Sequence, residues 1–231
     1  MTEDLAGPPR SFGRRRGRPL RPTRARAVGT LLPQIQIAPP ATGRIHLASL
    51  FPAPTVWLEI GFGAGEHLAA QAKAHPDIGF IGCEPYINGV ASLLASIERD
   101  ALVNVRVFMD DARLLIPAIP DASIGRVFVL FSDPWPKTRH WKRRLIQPAV
   151  LDDLARVMAD GAELRFASDH KGYVSWTLEH VLAHPAFSWV AAGPKDWRER
   201  PADAFATRYE TKALRQAVSC VYLRFTRRAR P

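Results

Sequence analysis

From about residue 55, short apolar runs alternate with segments whose apolar positions fall at helical spacing. TVWLEI (55–60) predicts a strand, and the glycine-rich stretch after it leads into a helix over 66–74 that stops near Pro76. DIGFIGCE (77–84) predicts a second strand, followed by a helix over 87–101 with Val90, Leu93, Leu94 and Ile97 on one face. VRVFM (105–109) and a short helix over 112–118 follow, then GRVFVLF (125–131) as a fourth strand. A helix over 148–159 carries Val150, Leu151, Leu154, Val157 and Met158, and Asp160-Gly161 turns the chain into a fifth strand, AELRFAS (162–168). After a helix over 171–183 the rhythm changes. FSWVA (187–191) and AVSCVYLRFT (217–226) read as strands separated by a polar loop instead of a helix. The repeating strand–helix units predict an α/β fold, a mostly parallel seven-stranded sheet with helices on both faces and an antiparallel C-terminal edge.

Composition sharpens this picture at one end of the chain. Among 231 residues with a formal charge of +10 and a pI near 10.3, eight arginines fall between Arg10 and Arg26 without an acid among them. Mixed with Pro and Gly, such a segment predicts a disordered basic tail over residues 1–40 ahead of a domain over 41–231. The charge favours a polyanionic partner. No apolar run reaches the length of a membrane span, so no membrane partner is expected, and the N-terminus has no secretory signal pattern. Cys83 and Cys220 lie inside apolar strands, which fits a reducing cytoplasm better than a disulfide framework. No metal site is expected, and the expected assembly is a monomer or weak homodimer.

The candidate chemistry collects at strand ends. In Glu59-Ile60-Gly61-Phe62-Gly63-Ala64-Gly65 the glycines permit positive φ and let a ligand approach the backbone near a helix N-terminus. The dinucleotide fingerprint G-x-G-x-x-G does not fit, because the third glycine falls one residue early, and this disfavours a nicotinamide dehydrogenase. Glu84, 25 residues after Glu59, closes the second strand, where an acid can accept from ribose hydroxyls. Asp111 and Asp133 follow the third and fourth strands, so four acids line the edge where open α/β sheets bind ligands. In a chain this basic, that partition suits a cationic ligand. The E-x-G-x-G-x-G pattern resembles the first motif of class I S-adenosylmethionine-dependent methyltransferases.

FSDPWPKTRHWKRR (131–144) places an acid and two prolines ahead of five Lys or Arg in eight residues. Prolines fix the backbone direction, and the interleaved Trp135 and Trp141 can stack bases while cations neutralise phosphates. DPWPK-x-RH-x-KRR resembles the signature of the bacterial tRNA (guanine-N7-)-methyltransferases. Ala167-Ser168-Asp169 with Tyr173, and Thr207-Arg208-Tyr209-Glu210, are similar to two further motifs of that family. The resemblance spans roughly residues 45 to 226. Thr211 to Val218 lacks a glycine common there, and the arginine-rich tail falls outside the family core. The resemblance implies a Rossmann-like class I methyltransferase fold over 41–231 and methylation of guanine N7 at position 46 of the tRNA variable loop. It implies S-adenosylmethionine as cofactor, held by Glu59, Gly61, Gly63, Gly65, Glu84, Asp111 and Asp133, with Asp133 catalytic. It implies tRNA contacts from Lys137, Asp169, Thr207, Arg208, Tyr209 and Glu210, and the basic block adds Arg139, His140, Lys142, Arg143 and Arg144. Two rival readings remain: an exocyclic-amine nucleic-acid methyltransferase, whose [DNS]-P-P-[YFW] motif is partly imitated with its second proline displaced, and a non-catalytic RNA-binding module on the same fold.

Overall fold

The apolar runs become strands buried on both faces, which is the condition a parallel sheet imposes. A computed structural model describes residues 12–231. Its strands are β1 Thr55–Ile60, β2 Ile78–Cys83, β3 Val105–Phe108, β4 Ile124–Leu130, β5 Met158–Ser168, β6 Phe187–Trp189 and β7 Val221–Arg227. They form one sheet in the order β3-β2-β1-β4-β5-β7-β6, with β1 to β5 parallel and β7 antiparallel to both β5 and β6. The helices are α1 Pro22–Thr30, α2 Leu32–Ile35, α3 Leu47–Leu50, α4 Glu66–Ala74, α5 Ile87–Asp100, α6 Ala112–Leu115, α7 Pro148–Val157, α8 Lys171–Ala183, α9 Lys195–Arg198 and α10 Arg208–Arg215.

Period-two alternation sorts the core into two layers. Val56, Leu58 and Ile60 of β1 pack with Leu151 and Leu154 of α7 and Tyr173 and Val181 of α8. Trp57 points the other way and joins Leu68 of α4, Leu93 and Leu94 of α5, and Ala27 and Leu32 of the N-terminal helices. Strand order reverses between β1 and β4, so the loops after them diverge and open a crevice at their C-terminal ends.

Three features differ from the sequence expectations. First, residues 1–11 lie outside the described residues, and beyond them the segment expected to be disordered through residue 40 is largely built into the fold. Ala27, Val28, Leu31, Leu32 and Ile35 form an apolar stripe at helical spacing against α5 and β3, Arg26 pairs with Glu98, and Ile37 N–H donates to the Val107 carbonyl at 2.8 Å. The arginine count hid that stripe. Second, Asp160-Gly161 lies within β5 as a register shift, with Gly161 at φ 78°, instead of turning the chain ahead of it. Third, the polar stretch before β7 contains α9 and α10.

Among the described residues no helix is long and apolar enough to cross a membrane, and no three His, Cys, Asp or Glu gather to hold a metal ion. Cys83 and Cys220 are free and buried.

Gly65 caps α4 at φ 80°, and a Cβ there would meet Leu93 Cβ at 2.7 Å. Gly65→Ala therefore combines left-handed strain with overpacking, and urea unfolding should report a loss of roughly 2–4 kcal/mol.

Candidate active site

The glycine loop between β1 and α4 is shaped by three left-handed glycines, Gly61, Gly63 and Gly65, at φ 72°, 58° and 80°. The Gly61 amide donates to the Cys83 carbonyl at 2.8 Å, which keeps the loop against the end of β2. Glu84, 8% exposed, accepts from the Gly63 amide at 2.8 Å through one oxygen and from the Tyr86 amide at 2.9 Å through the other. Burial raises its pKa against those two stabilising bonds. Gly89 on α5 faces the Gly63 carbonyl so closely that a Cβ would stand 2.1 Å from the oxygen. Loop, strand end and helix are thus in direct backbone contact.

Around this junction lies a cavity of about 670 Å³ at the crevice. It is lined by Gly61, Gly63, Glu84, Asp111 and Asp133 of the predicted cofactor residues, and by Arg143, Arg208 and Tyr209 of the predicted substrate residues. Asp111 caps α6 through the Arg113 amide and forms a fork with the Arg113 guanidinium at 2.9 and 2.6 Å. The Asp133 loop is bracketed by Phe131 at φ 52° and Trp135 at φ 44°, non-glycine residues in a region that costs about 1–2 kcal/mol each. The turn is anchored where the Phe131 amide donates to Ala167 O at 2.7 Å. Strain held in this way aims Asp133 toward the cavity.

Other predicted residues stand elsewhere. Glu59 points to the α4 side of the sheet, 3% exposed, with its carboxylate 2.7 Å from His67 Nδ1, and it does not line the cavity. Strand alternation dictates this: Ile60, next to it, faces the opposite layer. Gly65 is likewise structural, as the α4 cap. Lys137, Arg139, His140 and Lys142 lie outside the cavity in or beside the 3₁₀ turns Thr138–Arg143, with all but the half-buried His140 exposed. Arg144 departs most from expectation. It is 2% exposed, donates from Nε to Pro134 O at 2.8 Å, and stacks among Trp141, Tyr173 and Trp176 at 4.8, 5.3 and 5.0 Å. It holds up the loop from inside and offers nothing to a phosphate.

Asp169 is exposed just beyond β5 and outside the cavity lining. Thr207 caps α10 by accepting from the Glu210 amide at 3.1 Å. Glu210 is buried and accepts from the Tyr222 hydroxyl at 2.6 Å, so it anchors α10 to β7 instead of facing the cavity. Arg208 pairs with Glu66, and Tyr209 lies over Gly63, where a Cβ would come within 3.2 Å of its ring.

Several lining residues escaped the sequence reading. Phe12, Arg14 and Arg24 of the arginine-rich segment border the cavity. Asn88 clamps that segment, accepting from the Gly17 amide at 3.0 Å and donating to Arg18 O at 2.8 Å, while Arg15 pairs with Asp110. Arg143 sits over the rings of both Phe12 and Trp135 at 4.9 Å. Phe12, the lone aromatic in an arginine run, was the available signal.

Residues 53–222 match the family described as "Putative methyltransferase". A protein named tRNA (guanine-N(7)-)-methyltransferase from Rhodospirillum rubrum is 54% identical, covering 99% of this chain and 90% of its own. One of the same name from Paramagnetospirillum magneticum is 52% identical, with 96% and 94% covered. Among solved structures, the 16S rRNA methyltransferase KamB shares the fold at a TM-score of 0.55 and 16% identity, over 77% of this chain and 89% of its own.

The buried position of Arg144 separates it from the exposed Lys142 two residues before it. Arg144→Lys keeps the charge but loses the guanidinium's bonds and stacking, and should cost roughly 2–4 kcal/mol in urea unfolding. Lys142→Ala should stay within about 0.5 kcal/mol of wild type in the same measurement.

Proposed function

This chain belongs to the tRNA (guanine-N(7)-)-methyltransferase family, and from that membership we infer that it methylates guanine N7 in tRNA using S-adenosylmethionine. The target we propose is the guanine at position 46 of the variable loop. The observation that carries the reading is the junction at Ser132–Trp135, where a carboxylate-lined cavity meets the exposed cations of the Lys137–Lys142 turns.

The residues present fit the cofactor. Glu84 is locked by two backbone donors and keeps acceptor capacity for a ribose diol, since a carboxylate offers about four acceptor sites. Asp111, although forked to Arg113, retains acceptor capacity toward an adenine amine in the same way. Glu84, Asp111 and Asp133 together place negative charge where a cationic ligand would sit. S-adenosylmethionine, when bound, supplies an electrophilic methyl group on a sulfonium centre.

Guanine N7 carries an in-plane lone pair, so no proton has to leave before attack and no strong general base is needed. The protein's task is positioning and charge stabilisation. Positive charge grows on the purine as the bond forms. The Asp133 carboxylate stabilises that charge, and it can accept from N1–H or the exocyclic amine to orient the base. Its strained loop keeps it in place before the base arrives. Lys137, Arg139 and Lys142 hold flanking phosphates, and Tyr209 and Arg208 form the opposite wall. Asp169, exposed at the end of β5, is a further candidate contact to the tRNA.

The direct test incubates the protein with labelled S-adenosylmethionine and total tRNA, then identifies the methylated nucleoside. 7-Methylguanosine is expected, and an N-methylated adenine or cytosine would instead support an exocyclic-amine enzyme. Asp133→Ala should lower turnover at least about 100-fold while tRNA binding persists. Glu84 adds a pH dependence. Its ionised form accepts the ribose hydroxyls and its pKa is raised by burial, so cofactor affinity should fall as pH drops, beginning at a higher pH than for an ordinary carboxylate. Calorimetric titration of cofactor against pH should show that fall in wild type and a flat, weaker profile in Glu84→Gln.

A further inference from the structure

The wall that Arg208 and Tyr209 form stands on a segment with no regular structure, Glu199–Thr207, and that segment is tied to the sheet at Asp203. Asp203 lies in the turn closed by the Ala204 amide donating to Pro201 O at 3.0 Å. Its carboxylate takes a two-pronged bond from Arg165 of β5, Nη1 to Oδ1 at 2.9 Å and Nη2 to Oδ2 at 2.7 Å, and a further bond from Arg126 Nη1 of β4 to Oδ2 at 3.2 Å. Its backbone carbonyl accepts from Gln71 of α4 at 2.9 Å. Gln71 also contacts His67 at 3.3 Å, and His67 bonds Glu59 at the foot of the glycine loop. The turn is therefore tied to the sheet by its side chain and to the α4 helix by its backbone. Five residues later α10 begins.

We propose that the Arg165–Asp203 pair is a positioning device for methyl transfer, holding the first turn of α10 over the glycine loop so that Tyr209 and Arg208 wall the cavity. The inference rests on the tRNA methyltransferase reading of this site. Within α10 the Glu210–Tyr222 bond fixes the first turn to β7 and Arg208 pairs with Glu66 of α4, but neither holds the turn that leads into Thr207. The Arg165–Asp203 pair sets the angle at which the chain enters that turn.

The surrounding charges make this pair separable from the stability of the sheet. Arg165 is 5% exposed, but its Nε also bonds Glu163 at 2.7 Å, so it keeps a counter-charge when Asp203 is lost. The Asp203 side chain is 48% exposed, so truncating it opens no cavity. Arg165 holds the Asp203 carboxyl down at about 2, which keeps it ionised through any working pH. What Asp203→Ala removes is the tie to the sheet, while the Gln71 bond to the backbone carbonyl remains. Local opening of a loop with few other attachments follows, without global unfolding.

The test compares wild type, Asp203→Ala and Asp203→Asn in three measurements: steady-state methylation of tRNA, thermal unfolding, and backbone hydrogen exchange. Asp203→Ala is expected to lower kcat/KM for tRNA roughly 10-fold, and Asp203→Asn, which keeps the shape and one acceptor, by less. The melting temperature should shift by no more than about 4 °C. Amides of residues 206–211 should exchange faster while those of β4 and β5 stay protected. Unchanged kcat/KM in Asp203→Ala overturns the proposal, as does an activity loss accompanied by faster exchange throughout the sheet. If wild type itself fails to methylate tRNA, the functional reading fails, while the exchange experiment still reports whether the tether holds α10.

Discussion

A carboxylate buried at the end of a hydrophobic strand must find donors, and Glu84 finds them in the backbone of the two elements beside it. One oxygen takes the Gly63 amide and the other the Tyr86 amide, so β2, the glycine loop and the start of α5 are fixed to one another through a single side chain. Gly89 lets α5 come close enough for this to happen, and the left-handed glycines give the loop the shape that presents its amide. The cavity exists because these three backbones cannot move independently. Asp111 on the next strand and Asp133 on the next but one are arranged around that fixed junction.

The positive charges are put to several different uses, and position in a basic run does not reveal which. Arg144 is an interior prop surrounded by aromatic rings. Its neighbour Arg143 lies between Phe12 and Trp135, bridging the N-terminal segment and the Asp133 loop. Arg165 is held among carboxylates on the sheet. Lys137, Arg139 and Lys142 are left exposed. The distinction is made by the 3₁₀ turns, which rotate successive side chains by about 120° and so send adjacent cations to opposite environments.

That rotation also marks the limit of what the sequence discloses. Strand and helix periodicity recovered the order of the sheet's elements because each apolar run is long enough to carry its own pattern, as in TVWLEI and the Val90–Ile97 face. Glu84, Asp111 and Asp133 could be placed because strand ends in a parallel sheet share one edge. Glu59 could not, since one residue of alternation decides between the crevice and the layer beneath it, and its partner His67 lies on another element. Glu210 was read as a substrate contact although its bond to Tyr222 joins residues 12 apart on a helix and a strand. The N-terminal segment was hidden for a different reason: its arginines dominate any compositional count, while the stripe from Ala27 to Ile35 that docks it is short.

The placement of β7 has a kinetic side. Among the described residues it is the last strand in chain order, yet it sits between β5 and β6, and β6 pairs there with β7 alone. A nascent chain can assemble β1 to β5 with their crossover helices as they emerge. The sheet then waits with an open edge at β5 until the final strand arrives from about 60 residues downstream, a long loop closure that slows the last step. Tyr222 travels with that strand, so the anchor for Glu210 is missing until then. Synthesis in this order places the carboxylate-lined half of the cavity first and the β7 anchor of the opposite wall last, leaving a partly made chain with the glycine loop in place but α10 still without its bond to Tyr222.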